Sequence, residues 1–416
     1  MRLHYYIKMN LAGLVLVALA LHAGASPLSL QDALHIAEQN SPLLKSAVSL
    51  QRGSEAAVTT SQSFPNPEVE YGAGNSHLLP TTPYPGRNSM LSVSQPLELP
   101  SVRSARQRAA EAGLAAGSAQ LIDTRINLYA QVMLAFLDIQ RRHSEAQLAN
   151  ENHSLLEQIH SRVKQRVDVG EASRYELIKA SAELMTAENV AQSAEVRVSQ
   201  AKDKLRSLLG AQLDEPFEIT EASLLSDDLP KLIELRTEVL ARHPLLRAAS
   251  ADIQRAAAKL DLERNLRIPQ PTLKWSAEQH PDVSLWRVGV ALPLPLWDRR
   301  SGPIAEALAN LDHAEAEEAR IRFSVLNELD QVYARFQIAQ RQLHTFETGL
   351  MYGAETALKV AEAAYRYGER GILDYLDAQR VVRNTRADYL NARYELQFAL
   401  VEIERLRGTL LKGEYP

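Results

Sequence analysis

Two carboxylates stand three residues apart shortly after a glycine-containing turn. They are Asp374 and Asp377, and the turn is Tyr367-Gly368-Glu369. Residues at this spacing lie near one face of a helix, and clustered carboxylates attract cations. The pair could therefore line a gate that passes cations. The alternative is that Asp374 is a solvated acid in the first turn of a helix, where the helix dipole favours negative charge.

The other residues that could do chemistry do not form the pattern of an enzyme. The chain has 11 histidines and no cysteine, and no histidine pair has the i, i+4 spacing with an acidic partner that zinc sites use. We therefore expect scattered surface histidines, no metal centre and no cofactor. A phosphate loop, a nucleophile elbow and a dinucleotide fingerprint are also absent from the sequence. With a formal net charge of −5 and no basic stripe, nucleic acid is not an expected partner.

The sequence patterns of the elements that carry these residues occur twice in the chain. The sequence PLLKSA at 42–47 returns as PLLRAA at 244–249, and VGE at 169–171 returns as YGE at 367–369. Because the order of such matches is kept, we predict two structural repeats, 26–226 and 227–416. Each repeat is expected to contain a helix, a strand pair, a very long helix, a glycine turn and a return helix.

Proline positions and hydrophobic periodicity give the bounds of these elements. A first helix is expected without a break from Leu28 to Gln62. Heptad spacing between Leu343 and Ala364 predicts a coiled-coil seam. The predicted fold is mainly α with a small β part. Its other elements are strand pairs at about 67–99 and 271–295, long helices at 101–167 and 303–367, and return helices at 173–209 and 371–411.

The first 25 residues form a segment that precedes this fold. Arg2 and Lys8 supply a positive region, Leu11 to Leu21 is a short apolar run, and Ala23-Gly24-Ala25 is a cleavage site of small residues. This pattern predicts a secretory signal peptide with Ser26 as the first mature residue. The alternative is a membrane anchor, but the run is shorter than the roughly 20 apolar residues that a spanning helix needs.

The strands of the second repeat alternate between apolar and polar side chains. One face is predicted to carry Leu273, Trp275, Trp286 and Val288, and the other Thr272 and similar polar residues. Only helices and closed barrels satisfy their backbone groups in lipid, and small barrels need about eight strands. Four strands per chain therefore imply strands pooled across subunits if the sheet spans a membrane. The alternative is a small soluble sheet packed on helices.

The two turns carry a family resemblance. The segment from Tyr365 to Ala378 follows the form aromatic-x-x-Gly-x-x-x-x-x-Asp-x-x-x-Ala, and 167–180 follows it with Glu176 in the acidic place. The chain thereby resembles the TolC family of outer-membrane efflux ducts. The segment from Val290 to Gly302, with its Pro-Leu-Pro-Leu-Trp run, is similar to the cobalt–zinc–cadmium efflux branch of that family.

This resemblance implies an assembly and a location. It implies a homotrimer in the outer membrane of a Gram-negative bacterium, with a 12-stranded β-barrel continuous with a trimeric α-barrel tunnel of long helical hairpins in the periplasm. It also implies a periplasmic adaptor protein and a proton-driven inner-membrane pump as partners. Outer-membrane lipid is the remaining expected partner.

The resemblance also implies roles for individual residues. Asp374 and Asp377 occupy positions of acidic rings at the pore mouth. Tyr365, Arg370 and Glu176 occupy positions that tie neighbouring coils in a closed state, with Arg370 and Glu176 as a charge-assisted pair between hairpins. The alternative for that pair is an exposed contact of little energy. The turn residues that would contact the adaptor are Gly170, Glu171, Gly368 and Glu369.

The function expected from these observations is a passive outer-membrane duct of a tripartite efflux system, not an enzyme. The expected cargo is divalent heavy-metal cations, exported from the periplasm or cytoplasm. Two alternatives remain open at this point. The same duct could carry drugs or exported polypeptides, or the chain could be a soluble periplasmic coiled-coil scaffold.

Overall fold

The computed structural model describes residues 27–76, 86–210, 217–221 and 225–410 of the chain. The predicted signal peptide at 1–25 and its cleavage site lie outside the described residues. Long helices dominate the described part, and a single four-stranded antiparallel sheet accompanies them. The prediction of a mainly α fold with a small β part is therefore confirmed. No helix in the described ranges is both long enough and apolar enough to cross a membrane.

The helices and strands follow one another in two similar series. The first series is α1 (Leu30–Asn40), α2 (Pro42–Gln62), β1 (Glu68–Ser76), β2 (Gly86–Pro96), α3 (Pro100–Asp168) and α4 (Arg174–Leu209). The second is α5 (Leu232–Arg242), α6 (Pro244–Asn265), β3 (Thr272–Gln279), β4 (Ser284–Ala291), α7 (Ser301–Thr345), the π-helical segment Phe346–Leu350, α8 (Met351–Arg366) and α9 (Ile372–Arg407).

Proline breaks the first helix of each series. The prediction of one helix from Leu28 to Gln62 is wrong, because α1 ends before Ser41, whose φ of −55° and ψ of 120° are not helical. A residue that precedes proline is pushed out of the α region by the proline ring, and Pro42 follows Ser41. The same break occurs at His243 before Pro244. Helix α1 starts on a capping box, in which the Asp32 backbone amide donates to Ser29 Oγ at 3.1 Å.

The second long helix is also not continuous. A five-residue π-helical segment, Phe346–Leu350, separates α7 from α8, and Gly349 in it departs from helical dihedral angles. The extra residue of a π-bulge shifts the helix face that follows it. The coiled-coil seam expected between Leu343 and Ala364 is therefore not formed within the chain, where Leu350 is 49 % and Val360 is 65 % exposed.

The sheet has the order β1-β2-β3-β4, and every neighbouring pair is antiparallel. Cross-strand pairs bring apolar side chains to one face, as the alternation predicted. These pairs are Val69 with Val93, Tyr71 with Leu91, Val93 with Trp275, Leu273 with Val290 and Trp275 with Val288. The opposite face carries pairs such as Glu70 with Ser92 and Lys274 with Gly289. The apolar face is exposed in the single chain: Val288 is 61 % and Trp286 is 71 % accessible.

The chain forms two compact units, each built from segments of both series. Unit 1 comprises Met1–Leu44, Arg125–Leu235 and Glu328–Pro416, and unit 2 comprises Lys45–Thr124 and Arg236–Asn327. The sheet belongs to unit 2, and both glycine turns belong to unit 1. In unit 1, a hydrophobic cluster next to the turns contains Ile159, Val163, Ala180, Ile372 and Tyr375. This cluster positions the residues considered next.

Candidate functional site

Both glycine turns have the same backbone geometry. Gly170 and Gly368 have positive φ angles of 79° and 75°, a conformation that costs other residues energy because their Cβ approaches the carbonyl oxygen. The next amide closes each turn: Glu171 donates to the Arg166 carbonyl at 2.8 Å, and Glu369 donates to the Ala364 carbonyl at 2.9 Å. This is the pattern by which a left-handed residue ends a helix.

The helices that follow the two turns begin differently. Helix α4 is capped by Ser173, whose Oγ accepts from the Glu176 amide at 3.2 Å. Helix α9 begins at Gly371, which provides no side-chain cap. Glu176 and Asp374 both occupy the third helical position, where a carboxylate stabilises the helix dipole. The first-turn interpretation of Asp374 is therefore compatible with its position, alongside any role in a gate.

The two aspartates contact different arginines. Asp374 Oδ2 lies 3.4 Å from Arg370 Nη1, and Asp377 Oδ1 lies 3.6 Å from Arg380 Nη1. Arg380 also lies 3.8 Å from Glu183 of α4. The Asp374 and Asp377 side chains are 52 % and 69 % exposed in the single chain. Both carboxylates are therefore accessible to a cation from solvent, although each already has a partner.

Arg370 and Glu176 are not brought together within one chain. Arg370 pairs with Asp374 on its own side of the turn, and the Glu176 carboxylate lies 3.5 Å from Ser173 Oγ. Among the described residues, no ion pair joins Arg370 to Glu176. The predicted tie between hairpins is consequently a proposal about contact between copies of the chain and not a feature of the single chain.

Tyr365 instead takes part in an aromatic contact that connects α8, α9 and α3. Its ring is stacked on that of Tyr375, with centroids 5.9 Å apart and planes 2° from parallel. The Arg166 guanidinium lies over the Tyr365 ring at 5.3 Å. Offset aromatic pairs and cation–π contacts are each worth roughly 0.5–1.5 kcal/mol. Within one chain, Tyr365 thus connects the two hairpins through Tyr375 and Arg166. Its role in tying neighbouring coils in a closed state stays a prediction.

Burial changes the chemistry of Tyr375. The residue is 7 % exposed within the hydrophobic cluster, and desolvation, followed by the nearby Glu362 carboxylate, raises the pKa of its phenol. Sequence reasoning missed Arg166 and Tyr375. The available signal was the presence of a tyrosine on each side of the Gly368 turn, together with an arginine at the end of the facing helix.

A cavity of about 400 Å³ opens beside these residues. Its walls combine Tyr365, Tyr367 and Tyr375 with charged side chains of both signs, namely Arg162, Arg166, Glu171, Glu362 and Arg366. Such a lining suits a polar protein surface better than a small apolar molecule. In the ranges that the structure describes, no group of three or more histidine or acidic side chains is arranged to hold a metal ion.

The described residues thus combine two hairpins of long helices with a small sheet whose apolar face is exposed in the single chain. The profile of the outer membrane efflux protein family matches residues 33–211 and 235–409. The chain belongs to the outer membrane efflux protein family. It is an outer-membrane transport duct with its helical hairpins in the periplasm, and it is not an enzyme.

Individual relatives extend over most of the chain. The cobalt-zinc-cadmium resistance protein CzcC of Cupriavidus metallidurans is 28 % identical over 388 residues, which cover 92 % of this chain and 91 % of the relative. The nickel and cobalt resistance protein CnrC of the same organism is 25 % identical, with 72 % and 71 % covered.

Solved structures show the same fold. The outer-membrane channel OprN superposes with a TM-score of 0.81 at 19 % identity, covering 91 % of this chain and 90 % of its own. CusC superposes with a TM-score of 0.78 at 18 % identity, covering 91 % of both chains. At these identities the likeness concerns the fold alone.

Proposed function

We propose that this chain forms the homotrimeric outer-membrane duct of a tripartite exporter and carries divalent heavy-metal cations. The cargo rests on one observation, which is the 28 % identity with a cobalt-zinc-cadmium resistance protein over 92 % of the chain. Accessible carboxylates after the second turn support it, because acidic groups attract cations at a constriction. A periplasmic adaptor and a proton-driven inner-membrane pump would complete the exporter and supply the energy.

The open edges of the sheet support the trimer. Among the described residues, strands β1 and β4 each have one edge without a neighbouring strand, and unpaired edges cannot persist in lipid. Pairing β4 of one copy with β1 of the next satisfies both edges. Three copies of four strands would give the 12-stranded barrel that the family resemblance implies, wide enough for an aqueous lumen.

The exposed apolar face of the sheet bears on the remaining alternatives. A soluble periplasmic scaffold would have to leave Trp286, Val288 and Val290 in water, at exposures of 61 % to 71 %, whereas lipid would cover them in a membrane. Drugs or exported polypeptides as cargo are not excluded by this face. They are outcomes of the cargo test.

Removal of the gene from its natural host tests the cargo. We expect lower tolerance to zinc, cobalt or cadmium and a higher periplasmic metal content, with tolerance to detergents and hydrophobic drugs unchanged. Complementation with the wild-type gene is the control. Unchanged metal tolerance with increased drug sensitivity would overturn the metal cargo and leave the duct in place.

For the gate, we propose that Asp374 and Asp377 line the periplasmic constriction and that Glu176, Arg370 and Tyr365 hold it closed. In planar bilayers, Asp374→Ala with Asp377→Ala should abolish block by a multivalent cation added from the periplasmic side and weaken cation preference. Glu176→Gln with Arg370→Ser should raise conductance. Unchanged block in the aspartate variant would place the constriction elsewhere.

For the adaptor, we propose contact with the two turns through Gly170, Glu171, Gly368 and Glu369. The mixed charges around the cavity next to Tyr367 support a protein partner. Glu171→Lys with Glu369→Lys should weaken capture of the purified adaptor at low salt without changing the trimer yield. Capture that stays unchanged in this variant would move the docking surface away from the turns.

A further inference from the structure

Large apolar side chains are exposed at each of the four points where the sheet joins the rest of unit 2. Phe64 precedes β1, Leu97 follows β2 and Ile268 precedes β3, with exposures of 63 %, 44 % and 52 %. Since all neighbouring strands are antiparallel and Glu68 pairs with Ser94, Pro96 with Thr272 and Thr272 with Ala291, these junctions lie at the same end of the sheet. At the fourth junction, Leu292 follows Val288 and Val290 at the spacing of two residues that places side chains on one face of an extended chain, so it continues the apolar face of β4.

The junction after β4 is the most apolar of the four. Residues 292–297 have the sequence LPLPLW, and Leu292, Leu294, Leu296 and Trp297 are 51 %, 67 %, 62 % and 93 % exposed. Pro293 and Pro295 have no backbone N–H, so the segment has fewer donors to satisfy when it leaves water. The Leu296 amide already donates to the Leu294 carbonyl at 2.9 Å. The backbone of the 292–297 segment can therefore enter a less polar medium at a low cost in free energy.

The C-terminal end of the 292–297 segment is held by contacts of Arg300. Arg300 has a φ of 56°, which is uncommon for a residue other than glycine and persists only where surrounding contacts hold it. Its amide donates to Asp298 Oδ1 at 2.7 Å, and its Nε lies 3.0 Å from Glu263 Oε2 of α6. The contact between Arg300 and Glu263 therefore holds the chain against α6 three residues after Trp297.

A free cation adjoins this apolar segment. Arg299 is exposed, and among the described residues it has no ion pair. A segment in which leucines and a tryptophan are followed two residues later by an arginine is suited to the boundary between acyl chains and headgroups. Arginine in particular matches the geometry of a phosphate group.

We propose that residues 292–299 anchor the protein to the membrane surface by non-covalent contacts. Leu292, Leu294, Leu296 and Trp297 insert into the periplasmic leaflet of the outer membrane, and Arg299 binds a phospholipid phosphate. The lipid surface is the occupant that continuity with the apolar sheet face favours. The anchor would fix the depth of the duct in the membrane at the level where the strands meet the helices. It rests on the outer-membrane location and is independent of cargo, adaptor and pump.

The three tryptophans of the chain, Trp275, Trp286 and Trp297, allow a direct test. Trp275→Phe with Trp286→Phe leaves Trp297 as the single reporter in trimers reconstituted into phosphatidylethanolamine vesicles. We expect lipids brominated near the headgroup to quench its emission more than lipids brominated near the chain end, and aqueous iodide to have no effect. Trp275→Tyr with Trp286→Tyr is the second background if the first assembles poorly.

Two results would overturn the anchor. Quenching by iodide without quenching by brominated lipid would place Trp297 in water. Protection from both quenchers would place it between copies of the chain. The matched control is the variant Trp275→Phe with Trp297→Phe, which retains Trp286 as the single tryptophan and reports on a lipid-facing side chain of the sheet.

Arg299 is tested in the same background. Arg299→Gln should shift the Trp297 emission to longer wavelength, because the indole moves toward water, and Arg299→Lys should retain most of the wild-type emission. An emission maximum that is identical in all three proteins would remove the phosphate contact from the proposal. None of these measurements depends on transport, so a failure here is distinct from a failure of the proposed function.

Discussion

The two glycine turns of unit 1 share their backbone but differ in what stabilises the helix that follows. After Gly170, helix α4 starts on the Ser173 cap and turns apolar side chains outward, with Tyr175 57 % and Ile178 67 % exposed. After Gly368, helix α9 starts without a side-chain cap and buries Ile372, Tyr375 and Leu376. The first start thus has a side-chain cap in addition to the packing of Leu177 and Ala180. The second start depends on tertiary packing without such a cap.

This difference bears on how a duct could open. A helix start with its own cap retains that contribution, about 1 kcal/mol, when neighbouring helices move away. A start that depends on packing loses stability as soon as that packing changes. We therefore expect the α8–α9 hairpin to be the more responsive of the two, and the following predictions test that ranking.

The largest expected effect follows from truncating a buried side chain at the start of helix α9. Ile372 is 0 % exposed in the cluster with Val163 and Tyr375, so Ile372→Ala should cost about 2–5 kcal/mol of local stability. Hydrogen exchange measured by mass spectrometry should show faster opening at the start of α9 and little change at the start of α4.

The matched control for this prediction is Ile178→Ala in the first start. At 67 % exposure, its truncation should change local stability by about 0.5 kcal/mol or less. A loss at Ile178 as large as that at Ile372 would contradict the comparison. It would mean that another copy of the chain covers this side chain in the assembled duct.

The next effect concerns the caps. Ser173→Ala should destabilise the first turn of α4 by about 1 kcal/mol. Gly371→Ser should stabilise α9 by a few tenths of a kcal/mol, because Gly371 has cap-like dihedral angles of −77° and 165° and open space around the added Cβ. Hydrogen exchange at the two starts should therefore move in opposite directions. Equal protection in both variants would show that caps do not distinguish the turns.

Sequence patterns predicted the fold well because they depend on local rules. Proline positions, alternation and the absence of helix breakers are sufficient for the strands and for α3. Pro42 was a sufficient signal for the helix break at Ser41. The prediction missed this break because the residues on both sides favour a helix. The π-helical segment at Gly349 was not accessible, since a glycine within a helix is compatible with a regular turn.

The candidate site was predicted only in part, for a physical reason. The turn motif identifies Gly170, Gly368 and the acids at the third helical position, because these are local features. The partners of Tyr365 depend on which helices meet in space. Neither the stack on Tyr375 nor the Arg166 contact follows from spacing along the chain. The pair of Arg370 and Glu176 needs a second copy, which a single sequence does not position.

The ionisation of Tyr375 offers a smaller test of the packed start. Burial raises the pKa of this phenol from its ordinary value of 10.0. A group whose pKa is raised on folding contributes stability that is present below the unfolded value and lost as pH rises through the folded one. The tyrosinate absorbance difference between wild type and Tyr375→Phe should therefore titrate above pH 10.0. A midpoint at or below that value would mean that the phenol is solvated in the assembled protein.

The smallest expected effect is the ion pair beside the second turn. Arg370 and Asp374 lie 3.4 Å apart with side chains 68 % and 52 % exposed, and exposed ion pairs contribute roughly 0.2–1 kcal/mol. Arg370 precedes the N-cap Gly371, and a cation at the N-terminal end of a helix is disfavoured by the helix dipole. A double-mutant cycle of Arg370→Gln and Asp374→Asn, followed by hydrogen exchange at the start of α9, should give a coupling within that range that decreases with added salt.

The matched cycle at the first turn uses Arg166 and Glu171, whose charged atoms lie 3.9 Å apart, and should give an equally small coupling. A coupling above roughly 1.5 kcal/mol at Arg370 exceeds what an exposed pair provides. It would mean that Arg370 is desolvated in the assembled duct and meets a further carboxylate there. Repeating the cycle with Glu176→Gln would then test whether Glu176, which contacts Ser173 in the single chain, is that carboxylate. In that case the second start would be stabilised by assembly as well as by packing, and closure of the duct would depend on the trimer.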